Sequence, residues 1–143
     1  MIELEVVSAG PSVRGTESVV YLRERGGPRT IELEVKTAML REILCGPENR
    51  AGRRAAWVSL VAELARLGRV DVKSAVLDAG AGGLVAHIEL RGRLETVRVR
   101  CPPEDALTLT AGLGVPLYAT DAAFGAAAPG APPREAIPGR VRT

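Results

Sequence analysis

A chain of 143 residues with 46% hydrophobic content is the size of one globular domain, and folding at that length removes roughly two thirds of the unfolded surface from water. The net charge of +2 is no polyanion-binding footprint, because residues 1–124 carry 16 basic and 16 acidic side chains and the excess comes from Arg134, Arg140 and Arg142 against Glu135. Tyr21, Trp57, Tyr118 and Phe124 are too few for a base-stacking platform, and no apolar run is long enough to cross a membrane.

Residues 2–7 alternate, with Ile2, Leu4 and Val6 on one face and Glu3 and Glu5 on the other, which predicts a half-buried strand. A secretory signal would start basic and turn continuously apolar, so this acidic start predicts a cytoplasmic protein. Residues 8–17, with Gly10-Pro11 and Gly15, break the strand. Residues 19–25 and 29–36 then form a hairpin about Gly26-Gly27-Pro28. Val19 and Tyr21 are expected to face Leu33 and Val35, with Ile31, Leu33 and Val35 inward and Glu32, Glu34 and Lys36 outward. Thr37 is the expected cap of a short helix over 38–45, which Gly46-Pro47 stops. The polar loop 47–54 carries Arg50, Arg53 and Arg54.

Over residues 55–67 the spacing of Trp57, Leu60, Val61, Leu64 and Leu67 predicts one apolar helical face turned to the core, ended by Gly68. A strand over 70–79, a turn over 80–83 and a second hairpin follow, with Ala86, Ile88 and Leu90 beside Val97 and Val99. A helix over 103–111 opens with Pro103, Glu104 and Asp105, as the helix dipole favours, and Gly112 and Gly114 end it. Pro116 marks residues 115–120 as a short edge strand. From Gly125 the composition turns to Ala, Pro and Gly, which predicts an irregular or mobile tail over 125–143 behind a domain of residues 1–124. Cys45 and Cys101 give neither a disulfide framework nor a metal spacing and are expected as buried free thiols.

The second hairpin has a twin. At a constant offset of 66 residues, Arg25-Gly26 falls on Arg91-Gly92, Thr30-Ile31 on Thr96-Val97 and Val35 on Cys101. Two copies are too few for a solenoid. The expected fold is therefore a single α+β domain of two related β-hairpin-helix halves packed together, with an additional amphipathic helix between them.

The segments Ile2-Glu3-Leu4-Glu5-Val6-Val7, Val20-Tyr21-Leu22-Arg23-Glu24, Asp105-Ala106-Leu107 and Gly114-Val115-Pro116-Leu117-Tyr118 resemble the bifunctional nuclease family, a small bacterial and plant α+β domain. The similarity runs in order over residues 2–124. It implies cleavage of DNA and RNA, with some members regulatory, and a homodimer that would also cover the edges of strands 115–120 and 2–7. Family positions reading Leu-Pro-Ile-Trp-Ile-Gly fall on residues 31–36, the Thr-His pair falls on Ala56-Trp57, and the Arg of Arg-Pro-Ser-Asp falls on Pro102. Asp105 alone of that polar set is kept.

Phosphodiester cleavage needs positive charge on the phosphoryl oxygens, from a carboxylate-held metal or from Arg, and a means of activating water. The resemblance makes Asp105, with Glu104 beside it, the catalytic candidate and the holder of magnesium or manganese. The alternative is a carboxylate that satisfies free N–H groups at a helix start. Glu32 and Glu34 are either half of a two-metal site or the charge match of Arg98 and Arg100, their counterparts at the 66-residue offset. His87 lacks a neighbouring Ser or Cys nucleophile and reads as an outer-face sheet residue. Arg50, Arg53 and Arg54 are the candidate nucleic-acid contacts, weak and salt-dependent, or simply a solvated loop. Gly80-Ala81-Gly82-Gly83 precedes a strand, where a phosphate loop must precede a helix.

Overall fold

The period-2 runs of the sequence assemble into one sheet. In a computed structural model, which describes residues 1–12, 17–45 and 56–126, seven strands lie in the order β3-β2-β1-β7-β4-β5-β6. They are β1 (Ile2–Pro11), β2 (Glu17–Glu24), β3 (Thr30–Lys36), β4 (Asp71–Gly80), β5 (Gly83–Arg91), β6 (Thr96–Cys101) and β7 (Leu117–Ala119). A 3-10 turn (Thr37–Met39) leads into α1 (Leu40–Cys45); α2 (Ala56–Gly68), α3 (Pro103–Leu113) and α4 (Asp121–Ala126) complete the α+β domain. No described helix is long and apolar enough to cross a membrane. Gly125 and Ala126, expected in the tail, belong to α4, and the rest of that expected tail, 127–143, lies outside the described residues.

β7 is the centre of the sheet, not the expected edge. It pairs antiparallel with β1 through Ile2 and Glu3 and parallel with β4 from Ala75 to Leu77. Pro116 sits just before it and needs no ladder donor; its carbonyl accepts from the Ala75 N–H. β1 also runs further than expected, to Pro11. A register shift between Val6 and Ser8 turns Val7 out to solvent and lets pairing with β2 continue to Pro11 opposite Ser18. The true edges are β3 and β6.

In the first hairpin the inward residues of β3 are Ile31, Leu33 and Val35, as their alternation requires. Their partners are corrected: Val20 opposes Leu33 and Leu22 opposes Ile31, while Tyr21 opposes Glu32 and is exposed. The apolar doublet Val19-Val20 allows either parity, and Leu22 decides it. In the second hairpin Ile88 opposes Val99 and Leu90 opposes Val97 as expected, but both valines remain open to solvent.

α3 is the central helix. Ala106, Leu107, Thr108, Leu109, Thr110 and Gly112 are all buried, and the two threonine hydroxyls donate to carbonyls of their own helix, Glu104 and Ala106, at 2.8 Å. The helix runs through Gly112 and stops at Gly114, whose φ of 73° is the left-handed cap that glycine adopts without strain. A Cβ on Gly112 would lie 2.7 Å from Glu42 Oε2 and 3.0 Å from Val58 Cγ1, so this glycine lets α1 and α2 close on α3.

That close approach helps set which face of α2 is buried, and the expected one is right only in part: Trp57 and Val61 pack against the core. Val58 is its buried residue, with Val61, Ala62 and Ala65 half-buried beside it, whereas Leu60, Leu64 and Leu67 are 58%, 59% and 68% exposed. Small side chains fit against Gly112 where leucines would not. Trp57 packs at the core margin, partly buried. Thr37 is no cap: it starts the 3-10 turn, and its hydroxyl bonds the Ser18 hydroxyl at 2.9 Å. Both cysteines are free thiols, but Cys45 is exposed and Cys101 half-buried.

Candidate functional site

The candidate carboxylates Glu104 and Asp105 stand at the first turn of α3. Pro102 occupies the N-cap position without a side-chain cap, and its carbonyl accepts from the Asp105 and Ala106 N–H groups. Glu104 reaches back to the end of β3, where its Oε2 accepts from the Lys36 N–H. It therefore holds the strand end to the helix start. Asp105 is half-buried and takes part in no described side-chain hydrogen bond, and its charge adds to burial in pushing the Cys101 thiol up to about 11. Among the described residues no three or more His, Cys, Asp or Glu side chains group so as to hold a metal ion.

Among the described residues, two of the clefts that open elsewhere bear on the site, and neither includes Asp105. The larger, about 390 Å³, lies where short β7 and its approach segment meet β1, with Leu4, Val6, Leu22 and Leu107 in its wall. Its rim carries Glu3 and Glu5, held by Arg25 at 3.4 Å and Arg23 at 3.0 Å.

The smaller cleft, about 330 Å³, lies on the polar face of the sheet between β4, β5 and β6 and collects Asp78, His87, Arg98 and Arg100. Cross-strand register makes this row: Arg100 is opposite His87, Arg98 is opposite Glu89, and Asp78 is opposite Val85 on the same face. Asp78 Oδ1 accepts from the Thr120 hydroxyl at 2.7 Å and the Ala79 N–H at 2.8 Å. These bonds, the hydroxyl first, hold its carboxyl below the usual range. His87 Nε2 is closed off from solvent without a hydrogen-bond partner. Arg98 and Arg100 on β6, with Glu89 and Asp78 on the neighbouring strands, make this a mixed-charge surface.

No protein-family model matches this chain, and no curated protein matches it.

His87 lies on the outer face, as expected. Glu32 and Glu34 also face outward on β3, with Glu34 Oε2 accepting from the Ser12 hydroxyl at 3.3 Å. Their expected match to Arg98 and Arg100 does not form within the chain: β3 and β6 are the opposite edges of the sheet, with five strands between them. Arg50, Arg53 and Arg54 lie outside the described residues. The sequence reading missed Asp78 and Thr120. Neither has a motif, and they meet only because α4 begins beside the end of β4.

A second ionic group fastens α4. Arg29 binds Glu24 at 3.1 Å and Asp121 at 3.0 Å, and its guanidinium stacks 4.3 Å from the centre of the Phe124 ring. The Arg29 hydrogen bond holds the Glu24 carboxyl below its usual range.

Proposed function

We propose that this chain is a non-catalytic binding or regulatory protein on a bifunctional-nuclease-like α+β domain, acting in the cytoplasm, instead of an active phosphodiesterase. The observation that carries this reading is the work Glu104 does. One of the two candidate catalytic carboxylates accepts from the Lys36 N–H, which directs it to the end of β3 as a structural tie. By the resemblance, a His and an Arg would stand where this chain has Trp57, packed at the core margin, and Pro102, at the N-cap of α3. Neither side chain can activate water or stabilise a phosphoryl oxygen. Nucleic acid is then a weak, salt-dependent partner, engaged through Arg50, Arg53, Arg54 and the arginines after residue 124.

The test is an assay of single-stranded DNA and RNA with magnesium, manganese or chelator, comparing wild type with Asp105→Asn. The expected result is no metal-dependent cleavage by either protein, with unchanged thermal stability within about 1 kcal/mol. Robust turnover by the wild type that disappears in Asp105→Asn would establish the hydrolytic reading instead.

A further inference from the structure

The pairing register decides which way the backbone of each edge strand points. In the first hairpin the Glu24 N–H donates to the Arg29 carbonyl, and pairing runs without a shift to Glu17 opposite Lys36. Antiparallel ladders alternate hydrogen-bonded and non-bonded pairs, so Ile31, Leu33 and Val35 bond to β2 while the N–H and C=O groups of Thr30, Glu32 and Glu34 point off the sheet. In the second hairpin the Gly92 N–H donates to the Glu95 carbonyl, again with no shift along β6. By the same alternation Val97, Val99 and Cys101 bond to β5, and Thr96, Arg98 and Arg100 point off the sheet. On each edge, the residues that offer backbone groups are also the ones that carry charge, acidic on β3 and basic on β6.

Among the described residues no strand covers either edge. β6 is exposed on both faces, with Val97 and Val99 at 42% and 44%, and neither Arg98 nor Arg100 takes part in a described ion pair. The strand directions also agree. β6 runs parallel to β4 and β7, while β3 runs antiparallel to β7, so a second molecule displaced sideways presents β3 antiparallel to β6 with its helices on the same side.

We propose that the two edges recognise each other between copies of this chain: β6 of one molecule adds to β3 of the next, and the sheet continues from copy to copy. One register satisfies every position. Arg98 lies opposite the partner's Glu34 and Arg100 opposite the partner's Glu32, in the hydrogen-bonded sites. On the helix side Val97, Val99 and Cys101 lie opposite the partner's Val35, Leu33 and Ile31. The Lys36 N–H, already taken by Glu104, and Pro102, which has none, end the ladder on either side. A twofold pairing of β6 with itself would set arginine against arginine, and of β3 with itself glutamate against glutamate; like charges directly opposite destabilise a pair. Charge therefore selects head-to-tail contact, which grows into a ring or filament, over a symmetric edge-to-edge dimer.

The experiment is sedimentation of the full chain from tens to hundreds of micromolar at low salt, for wild type, Arg98→Glu/Arg100→Glu, Glu32→Arg/Glu34→Arg and the equimolar mixture of the two variants. Wild type is expected to associate beyond a dimer as concentration rises, and to lose that association near 1 M salt, where the screening length is about 3 Å. Each variant alone should associate at least about tenfold more weakly, and the mixture should recover, because each reversed edge again meets its opposite. Amide exchange at positions 32, 34, 98 and 100 should slow with concentration in wild type and in the mixture, but in neither variant by itself. Both edges are at the surface, so circular dichroism should match wild type; if either double variant unfolds, the single pair Arg100→Glu and Glu32→Arg replaces it. A wild type that stays monomeric throughout, association untouched by both reversals, or a mixture that fails to recover would each overturn the proposal.

Discussion

The two hairpins share an Arg-Gly pair at the turn and a constant sequence offset, but not their surroundings. Ile31 and Val35 of β3 are fully buried, whereas Val97 and Val99, 66 residues after Ile31 and Leu33, stand open. The sheet is symmetric in order about β7, with β1 and β4 beside it and β3 and β6 outermost, and the bulged steps after Val6 and Val72 are 66 residues apart. The helices are not symmetric. α3 leaves β6 and packs on α1, α2, β3, β4 and β5, so its face-on packing includes the first hairpin's outer strand but not the second's, while the backbone edges of both strands stay open. Pairing differs too: Arg23 opposes Thr30, but Arg91 opposes Thr96, a register slipped by two relative to the offset. Alike strands thus become one core strand and one exposed strand through the path of a single helix.

The sharpest way to break this contrast is to truncate equivalent residues. At concentrations low enough for a monomer, Ile31→Ala should cost about 2–5 kcal/mol in denaturant unfolding, and Val97→Ala should stay within about 0.5 kcal/mol. Equal losses would mean that β6 is packed in the isolated chain after all.

The next effect concerns the helix that creates the asymmetry. Gly112→Ala should destabilise by about 1–3 kcal/mol, because the added methyl would meet Glu42 and Val58. Helix propensity alone predicts a gain approaching about 1 kcal/mol. The sign of the change in denaturation midpoint therefore decides whether α3 is as closely held as described.

The turns give a smaller contrast. Gly26 has a φ of 82° and its counterpart Gly92 does not have positive φ, so Gly26→Ala should cost about 1 kcal/mol and Gly92→Ala less than about 0.5 kcal/mol by thermal unfolding.

The smallest effect is acid sensitivity where α4 meets the two halves. Glu24 near the first hairpin turn and Asp78 at the end of β4 both have carboxyls held below their usual range, by Arg29 and by Thr120. A depressed folded pKa contributes stability above the unfolded value, near pH 4, and that stability is lost as pH falls through the folded value. Asp78→Asn should flatten the acid limb of a melting-temperature profile. An unaltered acid limb would mean that the Thr120 bond is not maintained in solution.

Alternation in Ile31 to Lys36 determined by itself which side of β3 is buried, because a period of two admits one inward set. Glycine and proline placed the turns for a comparable reason, since few residues tolerate those backbone angles. At the start of α3 the sequence alone placed Glu104 and Asp105 in the first turn, where the dipole favours acids. That Glu104 would be held by Lys36 depended on two segments 68 residues apart meeting. α2 shows the limit most clearly: Trp57, Leu60, Val61, Leu64 and Leu67 make one apolar stripe, and Val58, Val61, Ala62 and Ala65 make another that shares Val61 with it. Local spacing cannot rank them. Tertiary structure decided for the second, because Gly112 admits only small side chains at that depth. It likewise set β7 between β1 and β4 and sent β3 and β6 to opposite edges, since strand order depends on how distant segments share one core and not on the pattern within any of them.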